Sequence, residues 1–168
     1  DGVPPLLALN ADVELVSAAG QRRLPLAAFI TGYRATALKP GEILSAIYVP
    51  HTEENAASAF VKLGARRYLV ISILMAAAVL RRDADGAIRG ARVAVGAASA
   101  VACRLPALEQ ALEGTPLVER PSTRLRAEHL TPLSPIDDVR ATAAYRHEAA
   151  LTVVGEALDR AAGAASHG

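Results

Sequence analysis

The sequence predicts an α+β fold, with an antiparallel three-stranded sheet covered by helices and a smaller unit ahead of it. Three observations predict it. Two apolar segments, 71–81 and 88–98, flank the turn signal Arg82-Asp-Ala-Asp-Gly86, which reads as a long hairpin. A third strand candidate, 58–63, stands just before them. The chain closes on an amphipathic helix whose apolar positions Val139, Ala143, Ala150, Val153, Val154, Ala157 and Leu158 share one face. Such a helix packs on a sheet, and strands followed by helices indicate α+β. At 168 residues the chain holds one domain or slightly more, on a scale of roughly 100–200 residues per domain.

Each element follows in order. Pro4–Leu9 is a short apolar helical turn. Asp12-Val-Glu-Leu-Val-Ser17 alternates polar and apolar residues, as a half-buried strand does. Ala19–Arg22 turns the chain, Arg23–Pro25 begins the return, and Leu26–Tyr33 is apolar and helix-compatible. Lys39-Pro-Gly-Glu42 is a turn, and Ile43–Val49 a strand closed by Pro50. His51–Ala57 is polar and loop-like. Segment 71–81 is apolar almost throughout, as when both faces of a strand are covered. Leu105, Leu108 and Leu112 are spaced for a helix that stops at Gly114. Thr115–Pro135 carries four prolines and is a connector with one helical turn at Arg124–His129. Asp137 or Asp138 caps the last helix. The expected division is 1–57 as part of one unit, 58–162 as the α+β domain, and 163–168 as a disordered tail.

Composition narrows the function. Lys+Arg 18 against Asp+Glu 17 leaves net charge +1, which gives no broad field for nucleic acid. The longest apolar run, Tyr68–Leu80, is shorter than the roughly 20 residues of a membrane helix. A single cysteine, Cys103, excludes a disulfide framework or cysteine-held cluster within the chain, and fits a reducing, cytoplasmic setting. The four histidines lack metal-ligand spacing. Asp83-Ala-Asp-Gly86 lacks the rest of a calcium loop and reads as a β-turn. The pairs Glu53-Glu54 and Asp137-Asp138 are adjacent, so their side chains diverge instead of facing one another as an acid/base couple. Ser17, Ser45 and Ser72 have no histidine in a nucleophile arrangement.

One segment stands out. Ser58-Ala-Phe-Val-Lys-Leu-Gly-Ala-Arg-Arg-Tyr-Leu-Val-Ile-Ser72 puts a lysine inside a strand, then a glycine, then two arginines. Two readings fit these residues. One is a strand end with solvated charges. The other is a polar lip over an anionic or ring-shaped ligand, with the glycine letting backbone approach. Composition does not choose between them.

The same segment resembles the joint between the second and third parts of the flavoprotein subunit of molybdenum hydroxylases, the xanthine dehydrogenase and carbon monoxide dehydrogenase type. Other stretches agree in order. Asp1–Ala11 resembles the start of the helix after the family's glycine-rich loop. Phe29-Ile-Thr-Gly-Tyr-Arg34 and Lys39-Pro-Gly-Glu-Ile-Leu-Ser-Ala-Ile-Tyr-Val-Pro50 resemble its F-x-x-G-Y-R and G-E-I-L patterns. Arg89–Ala100 fits the strand before the third-domain helix, and Asp138-Val-Arg-Ala-Thr-Ala-Ala-Tyr-Arg146 resembles the opening of the last helix.

The resemblance implies the end of the second FAD-binding subdomain over 1–57 and the flavoprotein C-terminal domain over 58–162. It implies FAD as cofactor, with molybdopterin and [2Fe–2S] clusters on partner subunits or domains, and electrons passing from the clusters to FAD and on to an acceptor such as NAD. Asp1, Leu44 and Lys62 fall at family flavin-contact positions. The lysine charge would favour the anionic reduced flavin. Arg66 and Arg67 match a paired-arginine position, here followed by the apolar Tyr68-Leu-Val70. The family's diphosphate-gripping glycine loops precede the position of Asp1, so the chain alone is expected to bind FAD weakly. The alternative is a non-catalytic docking domain that binds partner subunits without FAD.

Overall fold

A computed structural model describes residues 1–51, 56–66, 68–116 and 119–164. The pair Glu53-Glu54, Arg67 and the tail from 165 onward lie outside the described residues.

The chain opens with helix α1 (Val3–Ala8), strands β1 (Asp12–Ser17) and β2 (Gly20–Pro25), and a single helical turn, α2 (Leu26–Phe29). A small ladder of β3 (Ile30–Gly32) with β4 (Ala35–Thr36) follows, then β5 (Ile43–Tyr48). The stretch Leu26–Tyr33 is therefore helical only over its first four residues, because Ile30 has already turned extended. Strands β2, β1 and β5 form one antiparallel sheet in that order. Val13 and Leu15 of β1 are fully buried on one face, as the alternation predicts.

The second sheet is built from β6 (Ala56–Leu63), β7 (Leu74–Arg82) and β8 (Ile88–Gly96), in that order and antiparallel throughout. A two-residue strand, β9 (Cys103–Arg104), adds a fourth position beside the three expected. The β7–β8 turn closes as a β-turn: Asp83 Oδ1 accepts the backbone N–H of Asp85 (3.1 Å) and of Ala87 (2.9 Å). Strand β7 starts at Leu74, not Ile71: ahead of it the Val70 carbonyl accepts from Lys62 and the Ser72 hydroxyl donates to Asp1. Strand β8 ends at Gly96, where Ala97 adopts φ +64°.

Helix α3 (Pro106–Leu112) and the long helix α4 (Ala143–Ala164) cover one face of this sheet. Leu105, Leu108 and Leu112 are all fully buried there. Two 3₁₀ turns, Pro121–Arg124 and Ala127–Leu130, replace the single turn expected in the connector. In the second turn, His129 is buried and its Nδ1 accepts the Arg126 N–H at 3.1 Å, which makes it a structural residue.

The start of α4 differs from expectation. Asp137 caps the helix from outside it, its Oδ1 accepting the N–H of Ala143, the first helical residue, at 2.5 Å. The N-cap position itself is held by Thr142, whose Oγ1 accepts the Tyr145 N–H at 3.2 Å. Val139 precedes the helix and is 99% exposed, so it is not part of the apolar stripe. Asp138 folds the entry turn, accepting the N–H of Arg140 (2.8 Å) and pairing with buried Arg146 at 2.6 Å. Arg146 also donates to the Ala97 carbonyl at 3.1 Å, tying the helix to the end of β8. The stretch 138–146 is thus a structural clasp.

The opposite face of the sheet is covered as well, by α1. Ala77, Val79 and Ala94 join Leu7, Ala8, Val13, Leu15 and Phe29 in one core cluster. A Cβ on Gly96 would lie 2.7 Å from Pro4 Cγ, so only glycine admits the helix this closely. Two arginines of the sheet complete the seat. Arg92 donates to the Ala8 carbonyl at 2.6 Å, and Arg104 donates to Asn10 Oδ1 at 2.8 Å. Arg92 satisfies a carbonyl that the helix end leaves unpaired, and both arginines set positive charge at its C-terminus.

Candidate functional site

Asp1 lies just ahead of Gly2, the N-cap of α1, so the seat of that helix on the sheet governs where its carboxylate lies. Lys62 is the penultimate residue of β6, directly opposite Met75 of β7. Cross-strand partners point to the same side. Met75 touches the α1 side of the sheet, since a Cβ on Gly96 would meet both Pro4 and Met75. Lys62 therefore points toward Asp1, and the two form an ion pair.

The pair is held from the loop between β6 and β7. Lys62 Nζ donates to the Val70 carbonyl at 2.8 Å. Ser72 Oγ donates to Asp1 Oδ1 at 2.6 Å while Lys62 takes Oδ2. The Ile73 N–H to Leu63 carbonyl bond of 2.8 Å closes the base of the loop. Gly64 makes the fold-back possible, as a Cβ there would sit 2.5 Å from Val70 Cγ1. Arg66 turns inward on its own loop and caps the Leu69 carbonyl. Leu69 sits at φ +50° and is 92% exposed.

Two of the three sequence-predicted site residues, Asp1 and Lys62, are thus brought together. Leu44 stands apart from their network, on β5 at the edge of the other sheet. It pairs with Leu15 across a bulge, and Ile47 pairs with Val13. The bulge restores both side chains to the core-facing side, where Val13 and Leu15 are buried. Leu44 and Ile47 extend that apolar face outward and remain 42% and 47% exposed.

Glu42 sets the entry to β5. Its carboxylate takes Arg22 bidentately, at 2.7 and 2.9 Å, and the Lys39 N–H at 2.7 Å. The Arg22 guanidinium, followed by that amide, pulls the Glu42 carboxyl down to about 2. Farther along, Ser45 and Tyr48 hydrogen-bond the Glu14 carboxylate, which lowers its pKa and raises that of Tyr48. The G-E-I-L glutamate is therefore a clasp that presents Leu44.

Sequence reasoning overlooked Ser72 because it tested serines only as nucleophiles. The available signal was a lone polar residue inside the apolar run Tyr68–Leu80. Among the described residues no cluster of metal-ligating side chains occurs, and no helix is long and apolar enough to cross a membrane.

The donor set suits a flat imide edge. Lys62 retains one N–H beyond the two it spends on Asp1 and Val70, and the Asp1 carboxylate retains acceptor capacity. An adjacent donor and acceptor complement the carbonyl and N–H of a flavin's pyrimidine ring. A diphosphate would meet the Asp1 charge and is disfavoured here.

This architecture is shared with known flavoproteins. Carbon monoxide dehydrogenase from Hydrogenophaga pseudoflava, in a form lacking the Mo-pyranopterin moiety, superposes with TM-score 0.87 at 27% identity, over 98% of this chain and 56% of that one. The chain belongs to the CO dehydrogenase flavoprotein C-terminal domain family, whose model matches residues 59–161. The model for the FAD binding domain in molybdopterin dehydrogenase matches residues 1–52. The 6-hydroxypseudooxynicotine dehydrogenase complex subunit alpha of Paenarthrobacter nicotinovorans is 28% identical over 93% of this chain and 52% of its own length. The xanthine dehydrogenase FAD-binding subunit of Escherichia coli O157:H7 is 29% identical over 98% of this chain and 56% of its own. The chain spans about half the length of these relatives.

Proposed function

We propose that this chain forms part of the FAD-carrying portion of a molybdenum hydroxylase of the xanthine dehydrogenase type, with Asp1, Leu44 and Lys62 as its flavin contacts. The observation that carries the reading is the Lys62–Asp1 pair, which joins a donor and an acceptor where the two family segments meet. Bound FAD supplies reversible two-electron chemistry. The residues of this chain bind and orient the ring. Lys62 donates to a ring carbonyl, Asp1 accepts from a ring N–H, and Leu44 with Ile47 offers an apolar surface that keeps water off one side.

The charge on Lys62 is offset by Asp1, so the pair acts on the ring as a local dipole more than as a free cation. No side chain here is needed as a general acid or base. Iron–sulfur and molybdopterin partners, belonging to other subunits or domains, complete the electron path in this reading. Substrate choice resides with the molybdopterin partner. The relatives' own names describe subunits of dehydrogenase complexes, which supports a multi-subunit setting.

Equilibrium FAD binding in the assembled protein tests the site. Lys62→Ala removes a charged hydrogen bond, and the expected weakening is about tenfold or more. Combining it with Leu44→Asp should leave the protein colourless at micromolar concentration. Unchanged flavin content in that double variant would refute the assignment.

A further inference from the structure

Ser72 is one of five buried polar or charged residues among those described, 5% exposed, and its hydroxyl donates to a carboxylate 71 positions away. A hydroxyl donating to an ionised oxygen at 2.6 Å is a strong contact, and burial strengthens it further. The contact closes a circuit. Ser72 holds one oxygen of Asp1, the other oxygen holds Lys62, and Lys62 holds the Val70 carbonyl two residues before Ser72. The loop thus supplies a donor to the acid and an acceptor to the base of one ion pair.

We propose that Ser72 is a positioning residue for the flavin-facing pair. It fixes the rotation of the Asp1 carboxylate so that one oxygen is committed to Lys62. With the Val70 carbonyl it leaves Lys62 a single N–H for a ligand carbonyl. Lysine on its own is a flexible stem with three rotatable donors, and its aim must come from such partners. The Asp1 side chain is 46% exposed, so without Ser72 it is free to turn toward solvent and release Lys62. The proposal rests on Asp1 and Lys62 contacting the flavin, and adds the residue that orients them.

The test compares Ser72→Ala, Ser72→Thr, Lys62→Ala and the Ser72→Ala/Lys62→Ala pair in the assembled flavoprotein. The readouts are FAD dissociation and the flavin midpoint potential. Ser72→Ala is expected to weaken FAD binding about three- to tenfold and to move the potential in the same direction as Lys62→Ala. Ser72→Thr keeps the hydroxyl and restores both. Because Ser72 acts through Lys62, its removal should add little once Lys62 is already alanine. Overturning results are an unchanged affinity and potential in Ser72→Ala, or a full additional loss in the double variant. Should Lys62→Ala itself leave FAD binding intact, the flavin reading fails along with the proposal. A deficient Lys62→Ala beside a normal Ser72→Ala defeats the Ser72 role alone.

Discussion

The two sheets of this protein differ in how completely their faces are used. Strand β7 is buried along almost its whole length, with α4 on one side and α1 on the other. Strand β5 is covered on neither side to the same degree: Ile43, Leu44, Ile47 and Tyr48 are each at least 40% exposed. The sheet of β7 therefore carries the stability of the fold, and the sheet of β5 displays apolar surface held in shape by polar clasps such as Glu42 and Glu14. The difference teaches where to look for ligand contacts. At the margin of the packed sheet, Lys62 is placed by strand register and aimed by tertiary partners, Asp1 and the Val70 carbonyl, whereas side chains on the open sheet are set by clasps within that sheet.

Substitutions can break this contrast. The largest effect should come from Leu80→Ala in β7, where the side chain is fully buried, with an expected loss of about 2–5 kcal/mol in denaturant unfolding. The matching change Ile47→Ala in β5 should stay within about 0.5 kcal/mol. Equal losses at the two sites would erase the distinction. Gly96→Ala should cost about 1–3 kcal/mol, since its methyl must displace Pro4 or Met75 and so unseat α1. FAD affinity should fall with it, through Asp1, in the same preparation.

The smallest effect sharpens the role of the polar clasps. The Glu42 pKa is lowered on folding, so its contribution is present above the ordinary carboxylate value of 4.5 and is lost as pH falls toward 2. A pH series of thermal midpoints should show a shallow decline over that window. Glu42→Gln should flatten the decline and lower the neutral-pH midpoint slightly. An identical pH profile in the variant would remove Glu42 from the account.

Much of the fold was legible in the sequence, for identifiable reasons. The β7–β8 hairpin announced itself because Asp83 and Gly86 carry turn chemistry between two apolar runs. Leu105, Leu108 and Leu112 announced α3 by spacing alone. The start of α4 was misplaced because Asp137-Asp138 has the composition of an N-cap, while Thr142 holds that position, Asp137 reaches the first helical N–H from outside and Asp138 serves Arg146. The second cover on β7 was implied by its unbroken apolar character, yet nothing local in Val3–Ala8 says that it docks there. That depends on Gly96, Arg92 and Arg104, which are some 90 positions away, and long-range pairing leaves no periodic trace. For the site, Lys62 stood out as one of only two lysines, and its link to Asp1 is tertiary. Ser72 was visible as an interruption but not as a partner. Arg66 proved to cap its own loop, a local bond that composition cannot distinguish from a ligand contact.

In the proposed flavin site, the tight seam between α1 and β8 couples Asp1 to the mechanical state of the core. Asp1 stands next to the N-cap of a helix pinned by a proline against a glycine, with two guanidiniums at its far end. Any swelling of that joint, by heat, pressure or a larger residue, should shift the Asp1 charge in the proposed flavin site before the sheet itself comes apart. Flavin colour and redox behaviour should accordingly serve as an early gauge of interior loosening.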